Sequence, residues 1–187
     1  MRERPALFLD RDGVINHDHG YVYRWADFKI IEGIFDVIKY FKDLGYLVIV
    51  ITNQSGIARG YFSEEQFLDL MIRVRNLFKQ NYSEIDDFFY CPHLKDGTVT
   101  RYSEDCFCRK PKPGMFYMAK EKYKIDFNNS VMIGDKFSDL IAAHQAGINK
   151  LFLYSSNQNQ CSNESQMQLK YIRISKLQEV LGKYNSE

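Results

Sequence analysis

Asp10-Arg11-Asp12-Gly13 places two carboxylates two residues apart at the end of the apolar run Ala6-Leu7-Phe8-Leu9. At the mouth of a short buried strand such a pair can hold a divalent cation and act on a phosphate, one acid attacking while the other moves protons. Alone, an Asp-x-Asp pair is also what an ordinary turn contains, but three later segments repeat the arrangement of strand followed by polar loop. Tyr46-Leu47-Val48-Ile49-Val50-Ile51 delivers Thr52-Asn53-Gln54-Ser55, a hydroxyl and amides suited to a phosphoryl oxygen. Cys108-Arg109-Lys110-Pro111-Lys112-Pro113-Gly114 sets fixed cations ahead of a predicted helix carrying Met115, Met118 and Ala119. Ser130-Val131-Met132-Ile133 runs into Gly134-Asp135-Lys136-Phe137-Ser138-Asp139, again strand, acid and helix. Ligands of open α/β sheets gather outside the carboxyl ends of the strands, so the four loops are expected to meet at one crevice.

The elements that must position these loops alternate between strand and helix. Ile34, Val37, Ile38, Phe41 and Leu44 form one helical stripe that Gly45 stops. Ser63-Glu64-Glu65-Gln66 is a capping-box signature, opening a helix with Phe67, Leu70, Met71, Val74, Leu77 and Phe78 inward. Residues 85–90 read as a third strand, 140–146 as a helix closed by Gly147, and 150–154 as a further strand. Residues 155–165 are polar and aperiodic, a predicted surface loop, after which 171–174 suit an edge strand and Ser175 with Gln178 suits the cap of a last helix. The predicted fold class is α/β, a Rossmann-like three-layer sandwich around a mainly parallel central sheet. The short span between Asp12 and Thr52 leaves no room for a large cap domain, so loops should roof an open site.

This ordered set resembles the haloacid dehalogenase-like phosphatases over roughly residues 5 to 154. Within them it is similar to the heptose 1,7-bisphosphate phosphatase branch. Asp18-His19-Gly20-Tyr21, Thr52 to Gly60, Cys91-Pro92-His93, Cys106-Phe107-Cys108-Arg109-Lys110-Pro111 and Gly134-Asp135-Lys136 carry the closer match. The resemblance implies Asp10 as nucleophile, Asp12 as general acid and base, and Thr52 and Lys110 on the transferring phosphoryl group. It implies Mg²⁺ on Asp10, Asp135 and the main-chain carbonyl of Asp12. Substrate contacts would come from Asp18, His19, Gly20, Tyr21, Asn53, Gln54, Ser55, Arg109 and Lys136. The implied reaction removes the C7 phosphate of a heptose 1,7-bisphosphate through an aspartyl-phosphate, on the way to nucleotide-activated heptose for bacterial surface polysaccharide. Histidinol-phosphate phosphatase, which shares the Asp-x-Asp and Cys-Pro-His wording, is the alternative. A zinc-stabilised binding module without catalysis is a reading of another class. Asp139 fits either a helix cap or a supporting role at the site. Val14 departs from a threonine common among relatives.

Cys91-x-His93 and Cys106-x-Cys108 offer three thiolates and an imidazole, a closed tetrahedral set for structural Zn²⁺ in a loop spanning 91–108. Unligated thiols beside a surface histidine are the other reading of these residues, and the resemblance favours zinc. Cys161 reads as a bystander, His17 and His19 as non-ligands, and His144 as a helix-surface residue.

Composition bounds the rest. The chain has 187 residues, 45% of them hydrophobic and 15% aromatic, enough for the core of one domain over residues 1–187. A formal charge of +1 with interspersed signs argues against nucleic acid or an acidic membrane as partner. Locally, residues 109–124 are basic, with Lys120, Lys122 and Lys124 read as solvating a helix face. The apolar run before Asp10 is too short for a signal peptide. The expected setting is a reducing cytoplasm, with a small phosphorylated sugar as substrate and a monomeric enzyme.

Overall fold

The computed structural model describes residues 3–155 and 169–184. Six strands, β1 (Ala6–Leu9), β2 (Leu47–Asn53), β3 (Asp87–Cys91), β4 (Val131–Gly134), β5 (Lys150–Tyr154) and β6 (Ile172–Ile174), form one sheet in the order β3-β2-β1-β4-β5-β6. Every ladder is parallel, with Leu7 opposite Val48 on one side and Val131 on the other. All carboxyl ends therefore lie along one edge of the sheet.

Alternation along each strand divides the core in two. Leu7, Leu9, Val48 and Val50 face α1 (Ile34–Asp43), α3 (Glu64–Gln80) and α6 (Glu179–Tyr184), while the single turn α2 (Ser55–Ala58) follows β2. Ala6, Phe8, Ile49 and Ile51 face α4 (Gly114–Tyr123) and α5 (Phe137–Ala146). A fully buried strand is apolar on both faces, which is why β1 and β2 read as continuous hydrophobic runs. The result is the expected three-layer sandwich, and among the described residues no large cap domain covers the sheet.

Helix termini follow local chemistry. The Ser63 hydroxyl accepts from the Gln66 N–H and the Gln66 side chain accepts from the Ser63 N–H, the reciprocal cap read in the sequence and worth about 1 kcal/mol. Gly147 ends α5 at φ 102°, where glycine alone is unstrained.

Three expectations need correction. Leu44, read as the last member of the α1 stripe, is 48% exposed, because the helix ends at Asp43 and the chain turns away from the core there. Leu77 is only half-buried, because α3 lays Phe67, Leu70, Met71, Val74 and Phe78 on the core and turns Leu77 to its margin. Ser175 does not pair with Gln178: its N–H and hydroxyl donate to Glu179, and Gln178 packs against Gly33. The cap partner is one residue later because a turn precedes α6. Most of the predicted 155–165 loop, with Cys161, lies outside the described residues.

Candidate active site

Three adjacent strands end in reactive side chains. The chain leaves β1 at Asp10, which is buried and whose N–H donates to Ile133 O of β4. β2 carries Thr52, 1% exposed, and α5 begins just after Asp135 at the end of β4. Carboxylate oxygens of Asp10, Asp135 and Asp139 lie within 4.8 Å of one another. Lys110 enters from the segment before α4 with its side chain 2% exposed. Its Nζ reaches Asp10 Oδ1 at 2.8 Å, Asp139 Oδ1 at 2.7 Å and Ile51 O at 2.8 Å.

Gly13 makes this closeness possible. It sits at φ 93°, and a Cβ there would meet Asp135 Oδ2 at 2.3 Å, so any other residue would collide with the acid cluster.

Burial pushes the Asp10 carboxyl well above the usual range, the neighbouring carboxylates add to this, and Lys110 opposes it. Burial likewise lifts Asp135 to about 6. For Lys110 burial disfavours the ammonium, but Asp10 and Asp139 outweigh it and the group stays a cation, its pKa raised. Lys136 is also held protonated against its burial, by Asp135, Asp10 and Asp18. Asp135 Oδ1 is buried and has no hydrogen-bond partner among the described residues. Raised acids, an orphaned carboxylate oxygen and an all-oxygen donor set fit a hard divalent cation such as Mg²⁺.

Asp12 points elsewhere. Its Oδ1 accepts from Arg11 Nη2 at 2.7 Å and Asn16 Nδ2 at 3.0 Å, and its Oδ2 accepts from Gln54 Nε2 at 3.0 Å. The same Gln54 amide donates to Thr52 Oγ1 at 2.9 Å. The Asp12 side chain thus stands outside the acid cluster, and Asp139 is its third member.

A cavity of about 560 Å³ joins these groups, lined by Asp10, Asp12, Asp18, Gly20, Tyr21, Thr52 to Gly56, Arg109, Lys110, Lys136, Ser138 and Asp139. Of the expected substrate contacts only His19 is missing from that lining. It faces a neighbouring depression of about 580 Å³ with Tyr23, Arg24 and Tyr61, because Gly20 and Tyr21, both at positive φ, turn the chain between the two hollows. Asp18 accepts from the Gly20 N–H at 2.9 Å and from Lys136 Nζ at 3.2 Å. These contacts outweigh its burial and lower its pKa. Asn53 makes a reciprocal pair with the Lys110 main chain, donating to O and accepting from N at 3.1 Å each. Its amide therefore also fixes the lysine.

The cysteine loop closes beside the crevice. Cys91, His93, Cys106 and Cys108 each offer a ligand atom within 4.8 Å of the others. The sulfurs of Cys106 and Cys108 are 2.8 Å apart, those of Cys91 and Cys106 3.2 Å, and no disulfide links them. The hydrogen bond from Cys108 is the main cause lowering Cys91 to about 6, while burial raises Cys106. Cys108 is raised chiefly by its bond to Cys91. Three sulfurs and an imidazole this close together form a donor set that suits a thiophilic cation such as Zn²⁺. His93 Nδ1 faces the sulfurs while Nε2 reaches Glu104 Oε1 at 3.1 Å, the outer contact that orients a ligating imidazole. Arg109 Nη1 donates to His93 O at 3.2 Å, tying the crevice to this loop.

Comparison with known proteins decides the family. A family model described as HAD-hydrolase-like matches residues 107–178. The D-glycero-beta-D-manno-heptose-1,7-bisphosphate 7-phosphatase of Vibrio cholerae is 52% identical over 145 residues, 78% of each chain. The chain belongs to the heptose 1,7-bisphosphate phosphatase family of haloacid dehalogenase-like hydrolases. Another member, the alpha-anomer enzyme of Photorhabdus laumondii, is 48% identical over 79% of this chain and 81% of its own. The D,D-heptose 1,7-bisphosphate phosphatase of B. bronchiseptica, solved with magnesium and phosphate, superposes with a TM-score of 0.82 at 29% identity. It covers 97% of this chain and 98% of its own. Membership in the heptose phosphatase family supports the main expectation over the histidinol-phosphate alternative.

Three residues of this site carry more than their sequence suggested. Asp139 both accepts from the Lys136 N–H at 3.0 Å and pairs with Lys110, so its two readings hold together. Its spacing from Asp135 was the available signal. Arg11 and Glu104 had none: an arginine between two acids and a glutamate in a polar loop look like solvated charges.

Proposed function

We propose that this protein is a Mg²⁺-dependent phosphatase that removes the C7 phosphate of D-glycero-D-manno-heptose 1,7-bisphosphate. The convergence of Asp10, Asp12, Thr52, Lys110 and Asp135 on one crevice, in a chain of this family, carries the reading. Asp10, Asp135 and the main-chain carbonyl of Asp12 would hold Mg²⁺, which supplies charge neutralisation of the phosphate when bound.

A phosphate monoester resists attack because its oxygens repel the nucleophile and its alkoxide leaves poorly. Asp10 attacks phosphorus, the P–O7 bond breaks, and Asp12 gives its proton to the departing oxygen, leaving an aspartyl-phosphate. Asp12, now a carboxylate, takes a proton from water as that water attacks phosphorus, releasing phosphate and restoring Asp10. Lys110 and the Thr52 hydroxyl stabilise the charge on the equatorial oxygens. Arg109, a planar fork, and Lys136 receive the phosphate that does not react. Asp18, Gly20, Tyr21, Asn53, Gln54 and Ser55 surround the sugar, with His19 beyond them.

Zn²⁺ on Cys91, His93, Cys106 and Cys108 would be structural, since four ligands leave no open position, and it would pin the segment that carries Arg109 and Lys110. The working unit is one domain over residues 1–187 with this loop at 91–108, acting as a monomer in the cytoplasm, where clustered thiols stay reduced. No described helix is long and apolar enough to cross a membrane.

The test is phosphate release with Mg²⁺ from both anomers of the heptose bisphosphate beside histidinol phosphate. Release from a heptose anomer supports the reading, and the faster anomer names the preference. Preferential release from histidinol phosphate overturns the substrate assignment.

A further inference from the structure

Arg11 stands between the two acids of the first loop and is wholly buried, heading the largest fully buried side chains. Arginine is almost never so placed unless it is paired. Its Nη2 donates to Asp12 Oδ1 at 2.7 Å and to Val22 O at 2.6 Å. The guanidinium carbon lies 5.5 Å from the centroid of the Phe67 ring. Nε and Nη1 have no hydrogen-bond partner among the described residues. Unpaired donors on a buried cation oppose stability, so the ring and the two bonds of Nη2 must offset them.

Those bonds assign the proton on Asp12. Oδ1 receives both Arg11 Nη2 and, at 3.0 Å, Asn16 Nδ2, and neither nitrogen can accept a hydrogen bond. Oδ1 is thus filled by two donors, whereas among the described residues Oδ2 accepts only from Gln54 Nε2 at 3.0 Å and is the oxygen with a position left for a proton. That is the oxygen on the side of Gln54, which lines the crevice with Thr52.

We infer that Arg11 is a positioning residue for proton transfer, fixing the Asp12 carboxylate and confining its proton to Oδ2. As the P–O bond breaks, the electron pair stays on the leaving oxygen, that oxygen takes the Oδ2 proton, and Asp12 is left a carboxylate. Through Val22 O the same nitrogen ties this geometry to the loop carrying Asp18 to Tyr21. The inference rests on the reading of Asp12 as proton donor.

Leaving-group dependence tests it. p-Nitrophenolate departs without a proton, whereas phenolate benefits from one, and the two phosphates differ little in size and make no sugar contacts. kcat/KM reports formation of the aspartyl-phosphate alone, before Asp12 acts as base. Both substrates are measured with Mg²⁺ for the full-length wild type, Asp12→Asn, Arg11→Met and Arg11→Lys. Lysine keeps the buried charge, but its shorter side chain ends short of the Nη2 position and has no planar group to lie over Phe67, and it serves if methionine impairs folding.

The expected result is that each Arg11 variant loses on the order of tenfold more kcat/KM with phenyl phosphate than with p-nitrophenyl phosphate, as Asp12→Asn does. A parallel loss on both substrates, which is what partial unfolding or a purely structural role produces, overturns the inference. So does unchanged kcat/KM on both. If Asp12→Asn itself shows no such selectivity, the assignment of Asp12 as acid fails first. If Asp12→Asn shows it and the Arg11 variants do not, only the role of Arg11 falls.

Discussion

Replacing Lys110 with methionine removes the one buried cation from the middle of the acid cluster while keeping most of the side-chain volume. Its Nζ lies 2.8 Å from Asp10 and 2.7 Å from Asp139, and the three side chains are 2%, 7% and 1% exposed. At an effective dielectric of about 20, each contact at this distance is worth about 6 kcal/mol of attraction before desolvation is subtracted. Removing one member of a buried ion pair costs about 3–5 kcal/mol net, because the partner stays behind unpaired. Here two carboxylates are stranded together, so the upper part of that range is expected in Mg²⁺-free protein near pH 8. Against a typical total of about 5–15 kcal/mol, the variant should fold with little margin. The sign with pH follows from linkage. Without Lys110 the folded pKa of Asp10, already raised by burial, rises further above its unfolded value. The folded state then binds more protons, and stability grows as pH falls through the folded pKa. Urea unfolding followed by the single tryptophan, Trp25, at about pH 5 and pH 8 measures this directly. The loss should shrink at the lower pH and on adding Mg²⁺, which would bind the folded cluster preferentially. A loss below about 1 kcal/mol, or one equal at both pH values, would refute the argument that Lys110 balances these buried charges.

Asp10→Asn should abolish turnover while leaving a cooperative unfolding transition, since the amide cannot attack phosphorus; near-normal phosphate release from it would sink nucleophilic catalysis. Cys106→Ser or Cys108→Ser should lower both bound zinc and activity, and metal analysis showing undiminished zinc would count against the four-ligand set. With burial holding Asp135 near 6, Mg²⁺ must displace a proton at lower pH, so its affinity by calorimetry should weaken steadily below about pH 6. A flat affinity between pH 5 and 7 would show that Asp135 is already ionised throughout that range.

Much of the site was legible because its members sit covalently at strand ends. Asp10, Thr52 and Asp135 each follow a buried apolar run, and a parallel sheet leaves such runs one place to deliver their next residue. Lys110 was legible from the resemblance, and its cysteine neighbours from their spacing. The rest depended on tertiary direction. Nothing in the residue order says that Asp12 turns toward Arg11 and Gln54 while Asp139 reaches back to Lys110, because a one-bond rotation decides it. His19 fell outside the crevice for the same reason, the chain reversing at Gly20 and Tyr21.

The sheet order separates what must stay fixed from what can be exchanged. β1 lies between β2 and β4, so Asp10, Thr52 and Asp135 stand at the interior of the sheet, on or just past strands held by ladders on both sides. The cysteine loop instead leaves from β3, an outer strand with a single paired neighbour, and returns over the crevice at Arg109. A segment hung from an outer strand can be lengthened, shortened or replaced without disturbing the ladders that carry Asp10 and Thr52. The architecture therefore brings two kinds of support to one crevice: Asp10, Thr52 and Asp135 are anchored at the centre of the sheet, while Arg109 and Lys110 reach them on a segment hung from its rim.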